Sequence, residues 1–385
     1  MNSKEKLFDK FEIAALCQDL VRIKTVNPPG NEKVLIDYCK GYLRESGAEL
    51  IEVPLSKGRS SLLAVWKGNP GGKQILFVGH ADTVSPGDEK AWTHDPFAAD
   101  LVDGVIYGRG IADMKGGTAA AMAALTQLKD MKHDTTFILA VTADEEDGCT
   151  GAESLLTEEY GLNPDLIIIP EPTGNQICVA EKGVIWVKLI SSGKLAHGSM
   201  PDVGVNAVEN MITLINQLDL DQFKTQNHPL LGKFSAALTT FNGGFKTNVI
   251  PDKCEAQFDI RTLPGQDHAQ ILAEFERVID TLSQSNGGFD IRMEIVTGQP
   301  GVETDTSIPF ILSVIENIRQ TKADAEIVGM RYFSDGAVLV PALKSPIILL
   351  GPGEPEQAHV VDEHVFVDKL YESYQIFHHM VSKFS

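Results

Sequence analysis

Ile75-Leu76-Phe77-Val78-Gly79 is an apolar run with no alternation, the pattern of a strand buried on both faces of a sheet. His80-Ala81-Asp82-Thr83-Val84 follows it directly. On the N-terminal side, Glu49–Pro54 and Leu62–Trp66 also read as strands, as do Thr136–Thr142, Leu166–Ile169 and Pro346–Leu350 on the other. Apolar residues at helical spacing predict helices at about Phe8–Lys24, Glu32–Ser46, Lys115–Leu128, Gly151–Glu159, Ile308–Thr321 and Val367–Lys383. Strands alternating with helices predict a doubly wound α/β domain with helices on both faces of the sheet.

The middle of the chain has another rhythm. Val184–Ser191 is strand-like and Val205–Leu218 helical, and Ser235–Phe241 with Cys254–Arg261 reads as a hairpin. A helix at about His268–Ser283 and a strand Phe289–Val296 complete the order β-α-β-β-α-β, that of a ferredoxin-like module. The expected organisation is therefore a discontinuous α/β domain, residues 1–181 and 297–385, interrupted by a smaller lid domain, residues 182–296.

Composition narrows the function. With 33 Lys+Arg against 53 Asp+Glu, the formal net charge of the 385 residues is −20, a field that repels phosphate and argues against a nucleic-acid or anionic-membrane partner. An anionic substrate would need a local cationic clamp. Met1–Lys10 is charged and lacks the apolar core of a signal peptide, and no apolar run approaches the length of a membrane span. Cys17, Cys39, Cys149, Cys178 and Cys254 form no CxxC pair, which fits a reducing compartment. The expectation is a soluble cytoplasmic protein.

Ligands in open α/β sheets gather at the carboxyl ends of the strands, and five residues fall there or at an adjoining loop. His80 ends the first buried strand, with Asp82 two residues on, placed to orient a ligating imidazole. Asp113 lies in Tyr107-Gly-Arg-Gly-Ile-Ala-Asp113-Met-Lys-Gly-Gly117, at a loop-to-helix junction where it would also serve as an N-cap. Asp144-Glu145-Glu146-Asp147 follows the strand ending at Thr142; such carboxylates repel one another unless protons or a cation hold them. One glutamate of such a pair can bind a divalent ion while its neighbour acts as general base. Glu171 stands between Pro170 and Pro172, and His359 ends Gly351-Pro-Gly-Glu-Pro-Glu-Gln-Ala-His359. A turn histidine, a cap, a solvated acidic loop or a surface glutamate explains each of these singly. Together, two imidazoles and three carboxylates suit borderline divalent cations such as zinc, and one bridging carboxylate would make a two-metal hydrolase centre.

In these motifs the sequence resembles the M20 family of zinc peptidases and amidohydrolases, which contains the acetylornithine and succinyl-diaminopimelate deacylases. The resemblance rests on Gly-His-Ala-Asp-Thr-Val (79–84), Tyr-Gly-Arg-Gly-Ile-Ala-Asp-Met-Lys-Gly (107–116), Ala-Asp-Glu-Glu (143–146), Glu-Pro-Thr (171–173) and Gln-Ala-His (357–359), and spans nearly the whole chain. It implies two Zn2+ per subunit, with Co2+ able to substitute. His80 and Glu171 would bind one ion and Glu146 and His359 the other, bridged by Asp113. It further implies Glu145 as general base, Asp82 as the partner of His80, and a cis peptide bond at Asp113–Met114. His197, in Ala196-His197-Gly198-Ser199, and Asn248 match family residues that help stabilise the oxyanion across the interface of a homodimer formed through the lid. Arg261 matches the clamp on the substrate's α-carboxylate, while Lys182, Arg331 and Ser334 are weaker candidates for a second polar group. The implied substrate is a small N-acyl amino acid. N-succinyl-diaminopimelate, of lysine and cell-wall precursor synthesis, leads; acetylornithine or a dipeptide is the alternative. The tail motif resembles the acetylornithine branch and Ser334-Asp335-Gly336 the desuccinylase branch, so the acyl group stays open. A metal-free binding protein of the same fold is the non-enzymatic alternative, and an aminopeptidase a further enzymatic one. The sequence lacks the Gly-x-Ser-x-Gly elbow of a serine hydrolase.

Overall fold

The structure, a computed structural model, describes residues 7–224, 227–285 and 288–385; Met1–Lys6, the greater part of the N-terminal stretch discussed above, lie outside the described residues. The chain divides into two compact units. The larger holds the chain up to Ala180, Glu303–Gly329 and Ser334–Ser385; the smaller holds Glu181–Val302 and Met330–Phe333.

The larger unit is built on a mixed sheet. Its centre is the set Thr136–Thr142, Gln74–His80, Leu166–Ile169 and Ile347–Leu349, side by side and parallel. After its first residue, Gln74–His80 is buried throughout, as the unbroken apolar run requires. Parallel strands put their carboxyl ends on one edge, and this edge carries the site. The sheet is not wholly parallel: Glu49–Ser56 and Arg59–Trp66 add antiparallel strands on one flank, and Ile177–Glu181 pairs antiparallel with Ile347–Leu349 on the other.

Helices cover both faces. Phe77 meets Phe377 of the helix Val367–Phe384 edge-on at 5.5 Å, and its neighbour in register, Leu139, shares that face. Thr142, three residues beyond Leu139, therefore faces the other way, where its Oγ1 donates to Asp335 at the start of the helix Gly336–Leu343. The first helix, Lys10–Arg22, is fixed by a capping box between Asp9 and Glu12. The helix expected at Gly151–Glu159 is one turn only, Thr150–Glu153: Thr157 is extended, and Gly161, at φ 58°, ends the short turn that follows. Ile177–Glu181 was not anticipated because one residue, Lys182, separates it from the next strand, with no turn signal between them.

The smaller unit has a four-stranded antiparallel sheet in the order Ser235–Gly243, Lys253–Thr262, Gly183–Ser192, Asp290–Gln299 among the described residues. In chain order that is 2-3-1-4, the split β-α-β arrangement of a ferredoxin-like module. Lys253–Thr262 alternates strictly at its centre, and Cys254, Ala256, Phe258 and Ile260 form one core with Met211, Leu214, Ile271, Phe275 and Val278 of the helices Ala207–Gln217 and His268–Ser285. The sequence boundary at residue 296 falls inside the strand Asp290–Gln299.

Candidate metal centre

Five segments bring the expected side chains to one place in the larger unit, the fifth being the turn that carries His359. His80 is the last residue of its strand. Glu145 and Glu146 follow the strand ending at Thr142, on a turn that Asp144 begins at φ 67°, its carbonyl accepting from the N–H groups of Gly148 and Cys149. Glu171 follows Leu166–Ile169. Asp113 sits before the helix Gly116–Thr126, and its peptide bond to Met114 is cis. That helix can lie against the Glu171 segment because residue 117 is glycine: a Cβ there would fall on the carbonyl oxygen of Pro170.

Asp113 is shared between two ligand groups. Its Oδ1 lies 3.0 Å from His80 Nε2 and its Oδ2 3.2 Å from His359 Nε2. Glu171 Oε1 is 3.9 Å from His80 Nε2, and Glu146 Oε2 is 2.9 Å from His359 Nε2. His80, Asp113 and Glu171 form one candidate ion site and Asp113, Glu146 and His359 a second, the donor atoms of each lying within 4.8 Å of one another. Glu145, whose Oε2 stands 4.0 Å from His80 Nε2, belongs to neither group.

The electrostatics describe a site short of positive charge. Burial pushes the Glu145 carboxyl well above the ordinary range, and Glu171, Glu146 and Asp335 push it further against the opposing His80. Burial and the Asp113 charge raise Glu146 too. Asp113 goes the other way: burial is outweighed by hydrogen bonds from His359 and His80. Those bonds work in reverse on His359, whose imidazole is pushed up to about 10 by Asp113 and then Glu146. Without metal, the cluster therefore holds protons. Two imidazoles and three carboxylates arranged around a shared aspartate fit a pair of borderline divalent cations, which would release those protons.

Behind the ligands lies a hydrogen-bonded layer only partly visible from sequence. His80 Nδ1 is 3.0 Å from the main-chain carbonyl of Asp82 and 3.8 Å from its carboxylate, so it is the Asp82 carbonyl that meets the ring. The Asp82 carboxylate accepts the N–H groups of Glu145 and Glu146, both at 3.2 Å, and the Asn27 amide at 2.9 Å. Asn27 also donates to Asp144 at 2.9 Å, and Asp144 in turn accepts from Arg59, which is paired with the buried Glu32. Asn27 and Arg59, and Glu363, whose carboxylate accepts from the N–H groups of Ala112 and Asp113 at 2.8 and 3.2 Å, are not among the sequence candidates. Asn27-Pro28-Pro29-Gly30 was the available signal for the first; a lone Arg and a lone Glu carry none.

The remaining candidates divide. Ser334 is fully buried in the larger unit, its Oγ accepting from the N–H of Gly336. His197, Asn248, Arg261, Lys182 and Arg331 belong to the smaller unit. There His197 pairs with Val249 across a short two-stranded ladder, with Asn248 accepting from Gly198 N–H at 2.8 Å, and both His197 and Asn248 are exposed. Arg261 makes a two-pronged ion pair with Asp259, at 2.7 and 3.0 Å. The Lys182 ammonium donates to the carbonyl of Lys233, and its pKa is lowered by burial and then by the charges of Arg331 and Arg261.

Residues 76–383 match the peptidase family M20/M25/M40, a span holding all five candidate ligands. The chain belongs to this family. The M20 chain is 29% identical over 398 residues to a probable succinyl-diaminopimelate desuccinylase of Staphylococcus epidermidis, covering 95% of each. It is 34% identical over 354 residues to the acetylornithine deacetylase of Proteus mirabilis, over 89% of this chain and 87% of that one. In fold it is similar to an M20 family metallo-carboxypeptidase from Sulfolobus solfataricus, with a TM-score of 0.82 over 98% of this chain and 99% of that one at 17% identity. M20 proteins are metal-dependent hydrolases, and so is this one by family. No helix among the described residues is long and apolar enough to cross a membrane.

Proposed function

We propose that this M20 protein is a di-zinc amidohydrolase that removes a carboxylic acyl group from an N-acyl amino acid, with N-succinyl-LL-2,6-diaminopimelate as the leading substrate. The observation that carries the reading is the pair of ligand groups sharing Asp113, with Glu145 beside them in neither. When bound, the ion pair supplies Lewis acidity toward water and the amide carbonyl. Asp113 would be shared between the ions, His80 and Glu171 would hold one, and Glu146 and His359 would hold the other. Glu145 takes a proton from water and delivers it to the leaving amine. Asp82 fixes three of these groups at once, His80 through its carbonyl and the Glu145–Glu146 turn through its carboxylate.

Binding falls to the smaller unit. Lys182, Arg261 and Arg331 are close enough for each arginine to depress the Lys182 ammonium. This local positive field is what a chain of net charge −20 requires to hold an anionic substrate. Arg261, whose Nε–Nη2 edge is taken by Asp259, keeps its Nη1–Nη2 end for the two oxygens of an α-carboxylate, and Lys182 and Arg331 would hold a second carboxylate. That favours a dicarboxylic acyl group over acetyl. His197, with Asn248, donates to the oxyanion of a second copy's site. A lid-to-lid homodimer is supported by Ser235–Gly243, an edge strand exposed nearly throughout, with Leu238 and Phe241 among its outward residues.

Comparison of kcat/KM for N-succinyl-diaminopimelate, acetylornithine and a dipeptide on zinc-loaded enzyme tests the substrate: the first should lead, and activity on none of them rejects the reading. Mixing inactive Glu145→Ala with inactive His197→Ala tests the dimer. Activity should return when the two exchange subunits, and a mixture that stays inactive argues that His197 serves its own chain.

A further inference from the structure

We propose that Glu363 is a positioning residue for the second ion site, fastening the loop that presents Asp113 to the segment that presents His359. The inference rests on the two-ion reading and assigns a role that the ligand set itself does not require. Glu363 is 1% exposed. Its Oε2 accepts from Arg109 Nη1 at 2.6 Å and from the N–H of Gly110 at 3.0 Å; its Oε1 accepts from the N–H of Ala112 at 2.8 Å and of Asp113 itself at 3.2 Å. Its own carbonyl accepts from Gly108 N–H at 2.9 Å. One side chain thus satisfies three main-chain donors of the loop Gly110–Asp113, which sits between the strand Val105–Tyr107 and the helix Gly116–Thr126 and belongs to no sheet. Buried donors of this kind are costly to leave unpaired.

The other end of the tether is the His359 segment. His359 and Asp362 both have left-handed backbones, at φ 64° and 56°, and Val360 and Val361 are exposed, so burial does little to fix that turn. It is held at Glu363, by the strand His364–Phe366, which pairs with Val105–Tyr107, and at Asp362, whose Oδ1 accepts from the N–H of Thr93 at 2.8 Å. The Arg109 guanidinium is itself fixed, stacked 5.1 Å over the Trp92 ring. Asp113 and His359, two of the three ligands of the second group, therefore both depend on Glu363. His80 and Glu171, two of the three in the first, come from the ends of the central strands Gln74–His80 and Leu166–Ile169 and do not depend on it.

The consequence is selective. Partners behind metal ligands are commonly worth 10- to 100-fold in affinity, and here the loss should fall more heavily on the second ion, two of whose ligands depend on Glu363, than on the first, which shares only Asp113. The test uses full-length, metal-stripped protein, wild type against Glu363→Gln and Glu363→Asp. Stepwise Zn2+ affinities are measured by competition with a chromophoric chelator, bound metal by mass spectrometry after dialysis, and folding by circular dichroism. Gln presents an N–H2 to donors that need acceptors, and Asp is too short to reach both Gly110 and Asp113. Each variant should stay folded and bind one ion about 10- to 100-fold more weakly, with a smaller loss at the other, which shares Asp113. Wild-type affinity for both ions in a folded variant, or equal weakening of both, overturns the proposal, as does failure of both variants to fold, which makes Glu363 a folding residue. Wild type binding fewer than two ions would instead remove the two-ion reading, a distinct result.

Discussion

Asn27 offers the sharpest stability prediction, because its side chain does one thing twice. Its amide donates to Asp82 Oδ2 and to Asp144 Oδ1, each at 2.9 Å, and it is 5% exposed. Asn27→Ala removes two hydrogen bonds to ionised groups, about 1.5–3 kcal/mol each. Two features offset the loss. The Asn27 Oδ1 is buried without a hydrogen-bond partner among the described residues, so its removal relieves about 1–3 kcal/mol. Each carboxylate oxygen also keeps another donor: Glu146 N–H at 3.2 Å on Asp82 and Arg59 at 2.7 Å on Asp144. The balance centres on a loss of about 2–3 kcal/mol, which at about 2 °C per kcal/mol for a unit of this size lowers the melting temperature by about 4–6 °C. Asn27→Asp keeps the size but sets a third carboxylate against the other two, and should cost more at pH 8 than at pH 5, where protonation turns it back into a donor. The assay is thermal unfolding of metal-free protein followed by circular dichroism. An Asn27→Ala variant as stable as wild type, or an Asn27→Asp variant with no pH-dependent deficit, would refute the reasoning.

Glu145→Gln should retain both ions, since Glu145 belongs to neither ligand group, while turnover falls about 100- to 10,000-fold; loss of metal by this variant would show it to be a ligand instead. In metal-free protein the His359 imidazole is raised to about 10, so its stabilisation is complete below its unfolded value of about 6.5 and is lost as pH climbs toward the folded value. Glu363, raised by burial to about 7, acts in the same direction at lower pH: a carboxyl raised by folding withdraws stability as pH rises from about 4.5 to 7. The metal-free melting temperature should therefore fall between about pH 6.5 and 9, and saturating Zn2+, which binds unprotonated imidazole, should flatten the profile; a metal-free protein that gains stability over that window contradicts this. Arg261→Lys should raise KM for a carboxylate-bearing substrate more than it lowers kcat, because a single ammonium cannot reproduce a two-pronged clamp; an unchanged KM excludes Arg261 from binding.

Much of the fold was legible because burial leaves a local imprint. An apolar run without alternation marked Gln74–His80 as a central strand, and strict alternation marked Lys253–Thr262 as half-buried, and both readings follow from which faces are covered. The candidate site was legible for a related reason: strands that run parallel put their ends together, so His80, Glu145, Glu146 and Glu171 fall in one place once the strands are found. What stayed hidden has no local imprint. Glu363 is an ordinary glutamate in the sequence, and its four hydrogen bonds reach back some 250 residues. Asp144 was visible only as one member of an acidic run, whereas its left-handed backbone turns it away from Glu145 and Glu146 toward Arg59, Asn27 and Thr150. The use of the Asp82 carbonyl rather than its carboxylate against His80 is likewise decided by the turn that brings Glu145 and Glu146 N–H groups onto that carboxylate.

Anomalous diffraction from zinc-loaded crystals, collected on either side of the zinc edge, tests the central claim most directly. Two peaks about 3.5–4 Å apart should lie on either side of the Asp113 carboxylate, one within bonding distance of His80 and Glu171 and the other of Glu146 and His359, with Glu145 bonded to neither. A single peak, or ions bound away from Asp113, would contradict it.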